Sequence, residues 1–294
     1  MGHSAKTILV AIDPSPASTS AFLEALRLSV SMKAKLIAVS VTPRYEGNMN
    51  RWKIEGADEQ LEKPFKACLE EAATEASSFG QSVRTEHRIG EPVDEIIALA
   101  EEEGAGLLVI GYSDRSYVER VLLGRTAAKV IGLSPCDVLM IPQFGEVGFA
   151  RILVGIDGSG YSMEAGQRAL DLALSYGGEV HGITVLDVPV EKSLRYGVLD
   201  EARHKHFTAL QILAGQGEKL GVPVVTELRE GSAYEQIVQY SEEKDIQLIV
   251  LGSYGRTALT RLLMGSVVER VAALSRRPTL VVKKLSTNGV RDQV

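Results

Sequence analysis

ILVAID at residues 8–13 and ILVGID at residues 152–157 are one short run met twice, 144 positions apart. Each is apolar, β-branched and closed by an acid, which suits a buried strand and falls far short of a membrane span. Outward from them, Gly90, Gly111 and Gly124 recur as Gly231, Gly252 and Gly265, now 141 apart. The first copy therefore holds three more residues than the second, and the polar stretch PRYEGNMNRWKIEG at residues 43–56 is the natural place for them. Landmarks that share an offset mark a duplicated unit.

Each copy reads as five strand-length runs separated by helical patterns, the signature of a parallel sheet covered on both faces. The runs lie near residues 8–12, 36–41, 83–87, 107–110 and 138–141, then 152–156, 180–186, 224–228, 248–251 and 279–282. After the first strand of each copy, Phe22, Leu26 and Val30, and likewise Ala165, Ala169 and Ala173, repeat at helical spacing. The segment QFGEVGFA at residues 143–150 joins the copies, which divides the chain into domains at 1–146 and 147–294. Each copy ends in an apolar strand with an unpaired edge, and pairing those two edges with each other removes both.

Composition narrows the function classes. The chain has 294 residues, 45% hydrophobic and 24% charged, the balance of a globular protein with filled cores. A net charge of -6 gives no basic field for nucleic-acid phosphates or anionic lipid, so neither is an expected partner. The N-terminal MGHSAK lacks the apolar stretch of a signal peptide, and Lys6 stands where a myristoylation signal needs Ser or Thr; a cytoplasmic protein is expected. Cys68 and Cys136 lie one per half with no CxxC, and buried reduced thiols are the expectation. His204 and His206 are two apart on a helical stretch, unlike a metal pair, and His3, His87 and His181 show no partner pattern.

The segment with the most chemistry is GSYGRTALTRLLMGS at residues 252–266, between the fourth strand of the second copy and an apolar-periodic helix. Gly252 and Gly255 leave backbone N–H groups open to close approach by an anion. Gly265 and Ser266 open the helix, where unpaired N–H groups, the dipole and a hydroxyl favour phosphate. Arg256 and Arg261 are available counter-charges. Asp157, at the end of the first strand, can bond a ribose hydroxyl or help hold Mg²⁺. GxxxxGK[ST] is absent, and DGSGYS at residues 157–162 fails as a dinucleotide fingerprint because Met163 replaces its last glycine.

In these residues the chain resembles the universal stress proteins, whose ATP-binding members carry G-x-x-G, nine residues, then G-[ST]. The second copy matches it in full, and both copies carry the first-strand pattern [VI]-[AG]-[IV]-D, ending at Asp13 and Asp157. The resemblance implies two doubly wound α/β domains of five parallel strands in the order 3-2-1-4-5, like the adenine nucleotide alpha hydrolases. It further implies ATP held by Gly155, Asp157, Val185, Gly252, Gly255, Arg256, Gly265, Ser266 and Val267, with Val185 meeting adenine through its backbone and Asp157 contacting ribose or metal. The equivalent first-copy positions are Asp13, Val41, Gly111, Gly124 and Arg125.

The first copy departs from the pattern, since Asp114 replaces the second glycine and Arg125 replaces the Ser/Thr. A carboxylate about 4 Å from a phosphate costs up to roughly 4 kcal/mol at an intermediate dielectric. Arg125 could instead become a phosphate partner, so this site is read as impaired rather than empty.

Each feature also has a plainer reading. Glycines cap helices and turn strands in any α/β domain, and Asp13 or Asp157 can serve a helix N-terminus. Arg115 and Arg120, which echo Arg256 and Arg261, can be surface charges alone. Three functions stand: a nucleotide-dependent regulatory protein with an unknown protein partner, a slow ATPase or phosphotransferase with Asp157 on Mg²⁺ and Arg256 on the γ-phosphate, and a nucleotide-free scaffold. Whether two chains also form a homodimer is left open, because the tandem pair can satisfy its edge internally.

Overall fold

A computed structural model describes residues 6–44, 57–112, 125–186, 198–253 and 265–283, with side chains except at 57, 125 and 198–206. The first copy runs β1 (Thr7–Ala11), α1 (Pro16–Met32), β2 (Lys35–Pro43), α2 (Ala57–Ser78), β3 (Arg84–Gly90), α3 (Pro92–Glu102), β4 (Leu107–Tyr112), α4 (Arg125–Leu133) and β5 (Asp137–Pro142). The second runs β6 (Arg151–Gly155), α5 (Gly160–Tyr176), β7 (Glu179–Leu186), α6 (Val198–Leu220), β8 (Val224–Glu230), α7 (Ala233–Glu243), β9 (Leu248–Gly252), α8 (Ser266–Leu274) and β10 (Thr279–Val282).

All ten strands form one sheet in the order β3-β2-β1-β4-β5-β10-β9-β6-β7-β8. Read from its outer edge, each half has the order 3-2-1-4-5, with every neighbouring pair inside a half parallel. At the centre β5 and β10 pair antiparallel, with Leu139 opposite Leu280, so the two apolar edges cover each other. The outer edges, β3 and β8, are protected differently. They alternate charged residues, and Arg88 and Arg229 form ion pairs with Glu102 and Glu243, which occupy matching positions in the two copies.

Period-two alternation sends Ile8 and Val10 to one face of the sheet and Leu9 to the other. The first face packs under α1, α2, α5 and α6, the second under α3, α4, α7 and α8, and both apolar layers run through the two copies. Burial of one such leucine or isoleucine contributes about 1.5–3 kcal/mol. Helix α1 starts where Ser15 caps the Ser18 amide and Pro16 takes the first helical position; it ends on Lys33 in the left-handed region at φ 53°. Helix α5 starts on Ser159 and ends on Gly177 at φ 71°.

Three expectations change. Phe22 and Leu26 are buried, but Val30 is 49% exposed, because the buried side of α1 runs through Ala21, Ala25, Leu28 and Ser29 and Val30 lies off it. Cys136 is buried as expected, with burial pushing its thiol up to about 11, whereas Cys68 is only half-buried; both are free thiols. His181 does have partners: its Nδ1 lies 2.9 Å from the Tyr240 hydroxyl and its Nε2 3.1 Å from Glu179. His87 also meets the Thr42 hydroxyl at 2.9 Å. His3 and the side chains of His204 and His206 lie outside the described residues. Among the described residues, no helix is long and apolar enough to cross a membrane.

Candidate functional site

The carboxyl ends of β6 and β9 are adjacent, with Val154 in register with Val250. β6 ends at Gly155, and the Ile156 amide makes its last bond, 2.8 Å to the Ile183 carbonyl. The chain then turns through Asp157, whose Oδ1 accepts the Ser159 amide at 2.9 Å and whose own amide donates to the Ser162 hydroxyl at 3.2 Å. Asp157 is thus held by the turn that starts α5, half-exposed at the crevice where strand order reverses.

The two strand-end glycines answer to packing. A Cβ on Gly252 would lie 2.7 Å from the Tyr161 backbone, so the bare position lets the first turn of α5 come close to β9. A Cβ on Gly155 would meet side-chain methyls alone, of Leu251 at 2.8 Å and Ile237 at 3.6 Å, and the first copy places Ala11 there. Gly252 therefore carries a structural demand of its own, quite apart from any ligand.

The start of α8 lies against the end of β9. The Gly265 amide donates to the Ser253 carbonyl at 3.3 Å, and the Ser253 amide donates to Val282 at 3.0 Å. Gly265 caps α8 in extended backbone at φ -60°, ψ 137°, without a side-chain cap. Ser266 is exposed and Val267 half-buried in the first turn, where helix geometry leaves amides without intrahelical acceptors. At the end of β9, the buried Ser253 hydroxyl has no hydrogen-bond partner among the described residues. The motif itself gave no reason to single out Ser253.

Val185 lies one strand over. Even-numbered residues of β7 bond toward β8, as the Gly231 amide to the Leu186 carbonyl shows, and the Ile183 carbonyl bonds toward β6. Val185 accordingly turns its N–H and C=O to the β6 side, beyond the point where β6 has ended. Gly252, Asp157 and Val185 thus lie at the carboxyl ends of the neighbouring strands β9, β6 and β7, with Gly265, Ser266 and Val267 at the start of α8, while Gly155 packs against Leu251. Gly255, Arg256 and Arg261 lie outside the described residues.

The first copy repeats this frame with different chemistry. Val41 is placed as Val185 is, beyond the end of β1, and a Cβ on Gly111 would lie 2.3 Å from the Ala17 carbonyl. The Asp13 Oδ1, however, accepts from the Ser15 amide at 3.1 Å and from both the Ser15 and Ser18 hydroxyls at 2.5 Å. The helix-start reading describes Asp13 well. In the second copy the Ser162 hydroxyl instead donates to the Ser159 carbonyl at 3.0 Å.

Beside Asp13, a cleft of about 940 Å³ between α1 and α2 is lined by Asp13, Glu70, Glu71 and Glu75, with no Lys, Arg or His among the described residues that line it. At the position of Ser253 stands Tyr112, whose hydroxyl donates to the Ser275 carbonyl of the other copy at 2.9 Å. Laying the copies over one another at the 141-residue offset exposes this Tyr-for-Ser exchange in the sequence itself. Gly124, Asp114, Arg115, Arg120 and the Arg125 side chain lie outside the described residues; the backbone of Arg125 opens α4.

Comparison with known proteins follows the duplication. The model of the universal stress protein family matches residues 4–142 and again 148–283. A universal stress protein of Methanocaldococcus jannaschii is 37% identical over 146 residues, covering 48% of this chain and 85% of its own length. One from Mycobacterium tuberculosis is 28% identical across 97% of this chain and 99% of its own. The crystal structure of a universal stress protein from Archaeoglobus fulgidus has the same fold, with TM-score 0.75 and 21% identity over 96% of this chain and 99% of that one. With two matches that together span nearly its whole length, the chain belongs to the universal stress protein family as a tandem member.

Proposed function

We propose that the second copy binds ATP at the crevice between β6, β9 and α8, and that occupancy alters a surface read by a protein partner in a cytoplasmic stress response. The observation that carries this reading is the Gly265–Ser253 hydrogen bond, which brings the helix start and the strand end of the motif to one point. Phosphates there would meet the first-turn amides of Ser266 and Val267 and the positive end of α8. The buried hydroxyl of Ser253 would gain an acceptor nearby. Gly255 and Arg256 complete the phosphate contacts, Asp157 takes the ribose, and the Val185 backbone takes adenine at the sheet edge. Mg²⁺ arriving with the nucleotide would neutralise phosphate charge, and Asp157 is the carboxylate placed to hold it.

The domains are assigned to 1–146 and 147–294, with the first serving as a weakened site. Its acid-lined cleft and an Asp13 whose Oδ1 already accepts from Ser15 and Ser18 support that inequality. Heat release and mass analysis of any small molecule that travels with the purified chain tests the proposal. An adenine nucleotide at no more than about one per chain is the expected result. A folded chain that carries a different ligand in this crevice would contradict it.

A further inference from the structure

A second cavity, of about 410 Å³, lies where the two copies meet and is separate from either nucleotide crevice. Its walls come in matched pairs, Leu28 with Leu172, Ser31 with Ser175, and Leu139 with Leu280. Each pair is related by the repeat offset of 144 or 141 residues. The cavity therefore sits on the pseudo-twofold axis that passes between β5 and β10, with Val147 and Phe149 of the joining segment on its wall.

Charge breaks that symmetry. Asp137, Arg168 and Asp171 line the cavity, while their repeat equivalents are Pro278, Glu24 and Arg27. Arg168 meets Asp137 at 3.0 Å, with side chains only 18% and 8% exposed. Burial pushes the Asp137 carboxyl up, opposed by Arg168 and by the Lys283 amide. Asp171 accepts from Gln167 at 2.9 Å. Two carboxylates thus stand against one guanidinium, a net negative lining. Two aromatic rings belong to its wall: Phe149 and Tyr176 stack on each other with centroids 4.1 Å apart, and the Tyr176 hydroxyl lies 2.9 Å from that of Ser31.

We propose that this cavity on the pseudo-twofold axis binds a small organic amine, its apolar chain against the paired leucines and its ammonium beside Asp171 and the Tyr176 ring. Its volume falls within the range of small-ligand sites, ~300–1,000 Å³, which favour domain interfaces. Carboxylates with aromatic faces attract an ammonium through both charge and the ring quadrupole. A ligand that touches α1 and α5 together stabilises the joined arrangement of the copies.

The test uses the full chain and three six-carbon probes of similar shape: hexylamine, hexanoate and 1-hexanol. Calorimetric titration should show saturable binding of hexylamine at one per chain, with hexanoate and hexanol weaker. Asp171→Asn should weaken hexylamine roughly fivefold. Ser175→Trp, at an exposed helix position, should fill the cavity and abolish hexylamine binding while melting temperature and nucleotide uptake stay as in the parent. Equal binding of the three probes, undiminished binding in Ser175→Trp, or no hexylamine binding by the folded chain would each overturn the proposal.

Discussion

The amide of Gly265 donates to the carbonyl of Ser253 across 3.3 Å, so the end of β9 and the start of α8 meet at a single point. That point lies beside Asp157, because β6 and β9 are neighbours in the sheet. A strand end, a helix start and a turn-held carboxylate are brought to the same end of the sheet by backbone geometry alone.

Gly252→Ala separates packing from binding. Its Cβ would meet the Tyr161 backbone at 2.7 Å, and relief requires movement of α5, at a cost of about 1–3 kcal/mol. Gly111→Ala, which meets the Ala17 carbonyl at 2.3 Å, should destabilise comparably. Denaturant midpoints should fall in both variants, whereas nucleotide affinity should fall only in Gly252→Ala. Equal loss of affinity in both would move the site away from the second copy.

Tyr112→Phe removes the hydroxyl that bonds Ser275 across the joint of the copies. A stability loss of about 1 kcal/mol in urea unfolding is expected. No loss would mean that water replaces the contact freely.

Glu24 supplies the pH dependence. It is 4% exposed, and burial raises its carboxyl above the ordinary 4.5, with the Val147 amide and Arg27 opposing. A folded-state value above the unfolded one means the native chain holds the extra proton, so this group's contribution weakens as pH rises through that window. Glu24→Gln keeps an acceptor for the Val147 amide and removes the titration. Melting temperatures of the two proteins should therefore draw together, or cross in favour of the variant, as pH rises from about 4.5 to 7. A parent that gains on the variant across that range would refute the assignment.

The duplication and the parallel sheet were legible because their signal is local and repeated: β-branched runs at fixed offsets, each followed by a helical stripe. The central ladder followed from two apolar edges that had to be covered. Other features depend on contacts between distant residues. Val30 keeps the helical period yet is exposed, because the side of α1 that meets the sheet runs through Ala21, Ala25, Leu28 and Ser29, and only the packing fixes which side that is. His181 finds Tyr240 across 59 positions, and no local pattern records that pairing. At the crevice, the glycine spacing was visible, but the reason Gly252 must be bare is the approach of Tyr161, which only the packing of α5 reveals.

Titration of a fluorescent ATP analogue into the parent chain and into Ser266→Glu tests the central claim most directly. A glutamate in the first turn of α8 suits the helix dipole, so folding should be kept, while its carboxylate repels a phosphate seated there. Saturation near one tight site per chain, weakened at least ~10-fold in Ser266→Glu, is the expected result. Two equivalent sites, no uptake by the folded parent, or a variant that binds as the parent does would contradict the account.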